Sequence, residues 1–283
     1  MNCSFVYTKE LKHSIVLLIL FAFLLTGCVS TATGDTGPKG VLIESKADVG
    51  QNEVEDFQAS ASETVKYYQE VGLFLKQPVT IVLTRNRKSF LAEAALRFGI
   101  SEIEVNRVGK GVDALSGNGL IVINADGTPT PRQRTFLVAH ELTHQYQRQI
   151  AGSKAGEIMW MLEGMAEAVG AQVVARQGFM SVEQYKTNWQ SGIRIANHKP
   201  LLSALYTRRD WSNALSAYGS GLTYKTAGFS NLVLLERYSI QQILKYFTVL
   251  GRGGNAADAF FDSFGVSILN FEKSIEMLLR KVS

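Results

Sequence analysis

The sequence predicts an α+β fold, with a small mixed-sheet lobe on the N-terminal side and a helical lobe after it. Apolar, β-branched runs alternate with helical stretches as far as residue 152. From there to the C-terminus only helical periodicity occurs. The chain has 283 residues, 46% of them hydrophobic, which is enough for one or two globular domains with a real core. That content excludes an intrinsically disordered protein.

The charge balance and the cysteine count narrow the function classes. Lys and Arg number 29 against 25 Asp and Glu, and no long run of one sign occurs, so nucleic acid is not expected as a partner. The two cysteines, Cys3 and Cys28, both lie near the N-terminus, so they can form neither a disulfide framework nor a cysteine-based zinc site. Any metal must therefore be held by histidines and carboxylates.

The first 27 residues have the order of a signal peptide. Lys9 and Lys12 precede an apolar run over 15–25, which would rise only about 16 Å as a helix, roughly half of the hydrocarbon core. The sequence Leu-Thr-Gly-Cys that ends at Cys28 resembles a bacterial lipobox. That resemblance implies cleavage before Cys28 and a lipid on this cysteine. The alternative is a short uncleaved anchor with an incidental cysteine.

Either N-terminal arrangement places the body of the protein outside the cytoplasm. Residues 28–40 are rich in Thr, Gly and Pro and are expected to form a flexible tether. A lipid on Cys28 would hold the chain at a membrane surface. Val29 is not the Asp that resembles an inner-membrane retention signal, which favours the outer membrane in a two-membrane bacterium. The sequence thus predicts a lipid-anchored protein of a bacterial cell envelope.

Three strands and three helices are predicted in the N-terminal lobe, at about 41–152. Pro78 introduces the second strand, Gly99 ends the second helix, and turn residues bound the third strand. Thr130 is the predicted N-cap of the third helix, with Pro131 at its first position. The strands cover about 41–44, 79–84 and 120–123, and the helices about 53–71, 88–98 and 131–150.

The C-terminal lobe, at about 153–283, is predicted to contain five helices. Ser181 and Gln184 have the spacing of a capping box at the start of one of them. The helices cover about 154–177, 181–190, 225–238, 240–249 and 267–281. A cleft between the lobes, near residues 125–152, is where a functional site is expected.

Residues 140–144 read His-Glu-Leu-Thr-His inside the predicted helix that begins at Pro131. Positions four apart share a helix face, so His140 and His144 can bind one ion. Glu141 can then reach a water molecule on that ion. The pattern occurs by chance in about one chain of this size in 300, which favours a metal site over two histidines on a solvated or packed face.

A further carboxylate, Glu163, follows His144 after eighteen residues, within the sequence Trp-Met-Leu-Glu-Gly-Met-Ala-Glu at 160–167. The chain here resembles the gluzincin metallopeptidases, which carry His-Glu-x-x-His and then a glutamate at about this spacing. The Trp-x-x-Glu-Gly-x-Ala form is similar to the aminopeptidase-N branch and to bacterial peptidase-MA-like proteins. The resemblance implies a metallopeptidase domain over 41–283, with one Zn²⁺ per chain bound by His140, His144 and Glu163 and with Glu141 as the base.

Two further residues have roles implied by the resemblance. Glu167, one turn after Glu163, corresponds to a carboxylate that fixes the outer ring nitrogen of a ligand histidine. Its alternative is a solvated helix carboxylate. Tyr224 corresponds to the tyrosine that stabilises the oxyanion, because 224–238 resembles a peptidase-MA-like segment in which a tyrosine precedes a helix. Tyr218 is its rival, and either tyrosine could instead be a packed or surface residue.

The strand before the metal-site helix raises the question of how a substrate binds. By analogy with gluzincins, Leu120 to Ile123 would pair with an extended peptide, and the alternative is a buried sheet strand. No Gly-x-Met-x-Asn segment of the aminopeptidase-N kind is present, so recognition of a free substrate N-terminus is unsupported. His198 is interpreted as a surface residue.

The leading interpretation is a lipid-anchored, extracytoplasmic zinc metallopeptidase that hydrolyses peptide bonds, with a peptide or protein as substrate. One alternative is a non-catalytic envelope lipoprotein that acts as a binding or assembly module. Glu141 argues against it, because a binding module needs no general base. Another alternative is a zinc amidohydrolase that acts on a non-protein substrate in the cell wall.

Overall fold

A computed structural model describes residues 4–5 and 40–280. Its sheet is mixed, with the strand order β1-β4-β5-β3-β2. Strands β2, β3 and β5 are parallel, β4 is antiparallel to β5, and β1 pairs in parallel with β4. The strands are β1 (Ser4–Phe5), β2 (Val41–Ser45), β3 (Val79–Thr84), β4 (Ala114–Gly117) and β5 (Leu120–Asn124).

Eleven helices accompany the sheet in the described residues, and no strand follows β5 there. They are α1 (Gln51–Glu70), α2 (Arg87–Phe98), α3 (Glu102–Val108), α4 (Pro131–Ala151), α5 (Met159–Arg176), α6 (Val182–Ile195), α7 (Arg208–Tyr218), α8 (Ser220–Arg237), α9 (Ile240–Gly251), α10 (Ala256–Phe264) and α11 (Ile268–Leu279). The predicted α+β class, with a small mixed sheet followed by helices, is confirmed. Among these helices, none combines the length and the apolar character that a membrane span requires.

The residues predicted to begin or end helices do so in the structure. Thr130 caps α4, since its side chain accepts a hydrogen bond from the backbone N–H of Gln133. Gly99 ends α2 in the left-handed region, with φ of 63°. Ser181 and Gln184 form a capping box at the start of α6. The predicted signal peptide, the tether and Cys28 lie outside the described residues, apart from Ser4–Phe5 and residue 40.

Five of these strands and helices were not predicted: β1, β4, α3, α7 and α10. β4 has only four residues, and it forms because Gly119, with φ of 68°, lets the chain turn back and pair with β5. The predicted helix over 154–177 is interrupted, because a 3₁₀ turn occupies Gly152–Gly156 and α5 begins only at Met159. α8 begins earlier than predicted and therefore contains Tyr224 instead of following it.

The sheet is covered on both faces. Ile81 and Ile121 belong to one buried cluster with Phe57 of α1 and with Val138 and Leu142 of α4. On the other face, Val82 and Val122 pack with Phe90 of α2 and with residues of α3. Because side chains alternate along a strand, each central strand contributes to both clusters. α4 is thereby fixed to the sheet along one side.

α5 is buried on all sides and packs between α4 and α8. Its residues Trp160, Met165 and Val169 are fully buried in the helical core. The Trp160 ring stacks on Phe271 with centroids 5.8 Å apart, which fixes the N-terminal turn of α5 against the C-terminal helices. A helix that is apolar all round in this way belongs to a core.

The contact between α5 and α8 depends on Gly164. A Cβ atom at this position would overlap Asn231 Nδ2 and the carbonyl oxygen of Ala227, both on α8. Gly164→Ala should therefore lower the free energy of unfolding by about 2 kcal/mol, because the helices must separate. Urea unfolding followed by circular dichroism measures this loss.

A matched control is Gly221→Ala, also within a helix of this lobe. A Cβ atom at Gly221 would meet nothing within 4 Å. This variant should keep or raise the stability by up to about 1 kcal/mol through helix propensity. Equal stability of the two variants would contradict close packing at Gly164.

Candidate metal centre

The side chains of His140, His144 and Glu163 meet at one point between α4 and α5. The two Nε2 atoms lie 3.0 Å apart, and each lies 3.4 Å from Oε2 of Glu163. All three residues are buried. The i,i+4 spacing on α4 aligns the imidazoles, and α5 supplies the carboxylate from the opposite side. Among the described residues, these three form the group that could hold a metal ion.

The distances and the donor set fit a zinc ion. Ligand atoms about 2.1 Å from one ion, at tetrahedral angles, lie about 3.4 Å from one another. The measured separations of 3.0 to 3.4 Å agree with that value. Within the described part of the chain, neither carboxylate oxygen of Glu163 has a hydrogen-bond partner, although buried carboxylates normally have one. A cation shared with the two histidines would satisfy them.

The charge state of Glu163 suits the role of a ligand. Burial acts to raise the pKa of this carboxyl group, but the positive charge that His144 and His140 carry when both of their ring nitrogens are protonated outweighs burial and lowers the pKa to about 2. The carboxyl group is therefore ionised and offers only acceptor oxygens.

Each histidine is oriented through its outer ring nitrogen. Nδ1 of His140 lies 3.0 Å from Oε1 of Glu167, and Nδ1 of His144 donates to Oε1 of Gln147 over 2.8 Å. Gln147 Nε2 in turn donates to the carbonyl oxygen of Leu162. When a cation takes the place of the Nε2 protons, the proton on each Nδ1 stays with Gln147 or Glu167, and the lone pairs of both Nε2 atoms face the centre.

Sequence reasoning singled out Glu167 and missed Gln147. Glu167 lies where the resemblance places it, one turn after Glu163. Gln147 is three residues after His144 on the same helix, a spacing at which side chains contact each other. This spacing could have identified Gln147 from the sequence as a partner of His144.

Glu141 and Tyr224 lie next to the centre. Glu141 follows His140 on α4 and is fully buried. Tyr224 is buried on α8, with its ring centroid 6.2 Å from that of His140 and 5.0 Å from that of Trp211. Its rival Tyr218 is the last residue of α7 and packs against the helical core.

The sheet beside the centre corrects one expectation. β5 is hydrogen-bonded to β3 on one side and to β4 on the other, so it is a buried strand and cannot pair with a substrate peptide. β4 lies outside it, next to the two residues of β1. The end of β4 is tied to α4, because Gln145 Nε2 donates to Ser116 Oγ and to the carbonyl oxygen of Gly117, both at 2.8 Å.

His198 and the charged residues Arg208, Arg209 and Asp210 are not members of the group that could hold a metal ion. His198 is exposed, as predicted. Asp210 accepts hydrogen bonds from the backbone N–H and the hydroxyl group of Thr207, the N-cap residue, and so completes the capping box of α7. Arg208 and Arg209 are exposed in the first turn of that helix.

Comparison with known proteins does not identify this chain. No protein-family model matches the chain, and no curated protein matches it in sequence. Among solved structures it is similar to an M1 zinc metallopeptidase from Deinococcus radiodurans, with 12% sequence identity and a TM-score of 0.46. The match covers 86% of this chain and 48% of that one, so the chain spans about half the length of that protein. The assignment of the centre depends on its own geometry.

Gln147→Leu should weaken zinc binding by about 10- to 100-fold. The substitution removes the acceptor that orients His144 and the link to Leu162, and losses of this kind have that size. Competition with a chromophoric chelator measures the affinity.

The control for this variant is Gln145→Leu. Gln145 is also a buried glutamine of α4, but its hydrogen bonds go to Ser116, Gly117 and Gly119 and not to a histidine. This control should lower stability and leave zinc affinity unchanged. If both variants bind zinc equally well, Gln147 has no part in orienting His144.

Proposed function

We propose that this protein is a zinc-dependent peptidase of the bacterial cell envelope. In this proposal His140, His144 and Glu163 hold the ion, and Glu141 is the general base. The observation that carries it is the convergence of two imidazole nitrogens and one carboxylate oxygen within 3.4 Å of one another in a buried site. The glutamate next to the first histidine distinguishes a hydrolytic centre from a purely structural one.

The chemistry divides between the ion and the side chains. A zinc ion at these ligands would polarise a substrate carbonyl group and lower the pKa of a water molecule towards neutrality. The Glu141 carboxylate accepts a proton from the attacking water and passes it to the leaving amine. Glu167 and Gln147 hold the two imidazoles in the tautomer that leaves each Nε2 lone pair at the centre.

Tyr224 supplies the donor for the developing oxyanion. Its ring lies beside that of His140 and is held edge-on by Trp211, with an interplanar angle of 89°. A hydroxyl group fixed in this way can donate a hydrogen bond to the carbonyl oxygen as negative charge accumulates there. Since α8 packs directly on α5, the tyrosine and the metal ligand Glu163 are positioned by the same helix contact.

A non-catalytic binding module explains the centre less well. Burying the carboxylate of Glu141 is costly, and a module that only binds a partner gains nothing from it. If Glu141 is the base that activates water, its function explains why a carboxylate is buried there.

The envelope location rests on the N-terminal sequence. The basic residues, the short apolar run and the Leu-Thr-Gly-Cys ending at Cys28 support export and lipid attachment. In this proposal the lipid holds the peptidase at a bacterial membrane, on its extracytoplasmic side, and favours the outer membrane where two are present.

Glu141→Gln should retain zinc and lose hydrolysis by at least about a hundredfold, because it removes the general base and leaves the ligands intact. His144→Ala should lose both zinc and hydrolysis. Zinc content by elemental analysis, and cleavage of casein and of a peptide library with and without chelator, measure the two effects.

If the Glu141→Gln protein hydrolyses peptides at the wild-type rate, the result would contradict the proposed mechanism. Zinc binding by both proteins without chelator-sensitive cleavage of any peptide would instead favour the binding module.

Tyr224→Phe should lower kcat by about 10²-fold or more, since it removes one oxyanion donor and keeps the ring. Tyr218→Phe is the matched control and should stay within about twofold of the wild type. Steady-state kinetics on a cleaved library peptide makes the comparison. The reverse order of the two variants would assign the role to Tyr218.

A further inference from the structure

A cavity of about 360 Å³ adjoins the metal centre, and Glu167 and Tyr224 both form part of its wall. Glu167 Oε1 lies 3.0 Å from Nδ1 of His140, and the Tyr224 ring centroid lies 6.2 Å from that of His140. The cavity is therefore bounded by two residues that lie directly beside a metal ligand. Its volume is in the range of about 300–1,000 Å³ that is typical of ligand pockets.

Aromatic rings form a continuous row in the wall of this cavity. They belong to Phe136, Tyr185 and Trp189. The rings of Phe136 and Tyr185 are stacked, with centroids 5.7 Å apart and planes at 24°. Tyr185 meets Trp189 edge to face, with centroids 5.4 Å apart. Met180 adds a thioether to the wall. Rings and methionine sulfur are the groups against which another aromatic ring packs best.

The helices hold these rings in place before any ligand binds. Tyr185 and Trp189 are four residues apart on α6, so they share one face of that helix. A Cβ atom at Gly228 of α8 would lie 2.8 Å from Cζ3 of Trp189 and 2.9 Å from Cβ of Glu167. The glycine thus lets both side chains approach α8 closely. Groups that are positioned before binding cost less to order when a ligand arrives.

The cavity opens to solvent beside the exposed residues of its wall. These are Arg132, Asn188, Gly221 and Lys225. A Cβ atom at Gly221 would meet no atom of the described residues within 4 Å, so the space next to this glycine is open. A side chain of a bound peptide can therefore enter the cavity without a rearrangement of the backbone.

The position of the cavity relates it to the cleaved bond. Phe136 precedes His140 by one turn of α4, a rise of about 6 Å. Residues of an extended peptide are about 3.3 Å apart, so this distance spans less than two of them. Tyr224, the proposed donor to the attacked carbonyl group, itself lines the cavity. A side chain that enters the cavity therefore belongs to a residue that flanks the cleaved bond.

We propose that this cavity binds a large aromatic side chain of the substrate, so that the peptidase cleaves bonds next to phenylalanine, tyrosine or tryptophan. This inference rests on the proposed function, and it names the class of substrate. Entry of the ring removes apolar surface from water, and contact with the rings of the wall adds to that gain. A small side chain would leave the cavity unfilled.

The test measures binding, so that it does not depend on turnover. Fluorescence anisotropy is recorded with the full chain carrying Glu141→Gln and loaded with zinc. The probes are three hexapeptides that carry fluorescein on a glycine-serine spacer and differ in one central residue, which is phenylalanine, leucine or alanine. The phenylalanine peptide should bind at least about tenfold more tightly than the alanine peptide, because a large apolar side chain is buried. It should bind about threefold more tightly than the leucine peptide, because only a ring makes aromatic contacts.

Gly221→Leu and Gly221→Ala are a matched pair of variants at the open edge of the cavity. A leucine side chain at this position can occupy the cavity, and a methyl group is too small to fill it. Gly221→Leu should reduce the preference for phenylalanine over alanine to less than about threefold, with unchanged binding of the alanine peptide. Gly221→Ala should keep most of the preference.

Tyr185→Leu and Tyr67→Leu are a second matched pair. Both tyrosines are half-buried and pack against the helical core, but only Tyr185 is among the described residues of the cavity wall. Tyr185→Leu should weaken binding of the phenylalanine peptide by about threefold or more, because a ring of the wall is lost. Tyr67→Leu should leave this affinity unchanged.

Equal binding of the phenylalanine and alanine peptides would overturn the proposal. A preference that is unchanged in both Gly221→Leu and Tyr185→Leu would do the same, because it would arise elsewhere on the protein. A leucine peptide that binds as tightly as the phenylalanine peptide would contradict the assignment of an aromatic side chain.

Digestion of a peptide library by the wild-type protein, followed by mass spectrometry of the products, separates this proposal from the proposed function. The products should begin or end at an aromatic residue. Hydrolysis that is indifferent to aromatic residues would overturn the assignment of the cavity and leave the peptidase standing. A preference in binding without any hydrolysis by the wild-type protein would contradict the proposed function and leave the aromatic pocket standing.

Discussion

The rest of the structure depends on one constraint, which is the close approach of three buried metal-ligand atoms: Nε2 of His140, Nε2 of His144 and Oε2 of Glu163. Two imidazole lone pairs and an ionised carboxylate repel each other unless a cation lies between them, so α4 and α5 must be held together by other contacts. Gln147 joins His144 to the backbone at Leu162 and thus ties the two helices beside the ligands. The absence of a side chain at Gly164 allows α8 to press on α5 from the other side.

The sheet contributes to this arrangement through α4. One side of α4 packs Val138 and Leu142 on the strands, and another presents His140 and His144 to α5. The helix that carries the proposed chemistry is therefore anchored to the sheet. The same helix continues past the centre to Arg148, which holds the end of β4. Two of the metal ligands, His140 and His144, thus share one helix with the proposed base Glu141, which fixes the distances between them, and α5 adds Glu163.

Local sequence signals predicted the parts of the fold that depend on local physics. Thr130 and Pro131 mark the start of α4, and the spacing of His140 and His144 indicates a metal site without any further knowledge. Glu163 needed a family resemblance, because nothing in the local pattern says which later carboxylate folds back to the histidines. Short β4 forms only by pairing with its neighbouring strands, and Gln147 reaches Leu162 only because α5 packs on α4. Such features depend on tertiary contacts, which periodicity does not encode.

The central claim is that one ion is held by His140, His144 and Glu163. X-ray absorption spectroscopy at the zinc edge, on the full chain loaded with zinc, tests it most directly. The account predicts one zinc per chain with two imidazole nitrogens and a carboxylate oxygen at about 2.0–2.2 Å, and an altered spectrum in Glu163→Gln. A chain that binds no zinc, or a spectrum and stoichiometry unchanged by replacing both histidines with alanine, would contradict it.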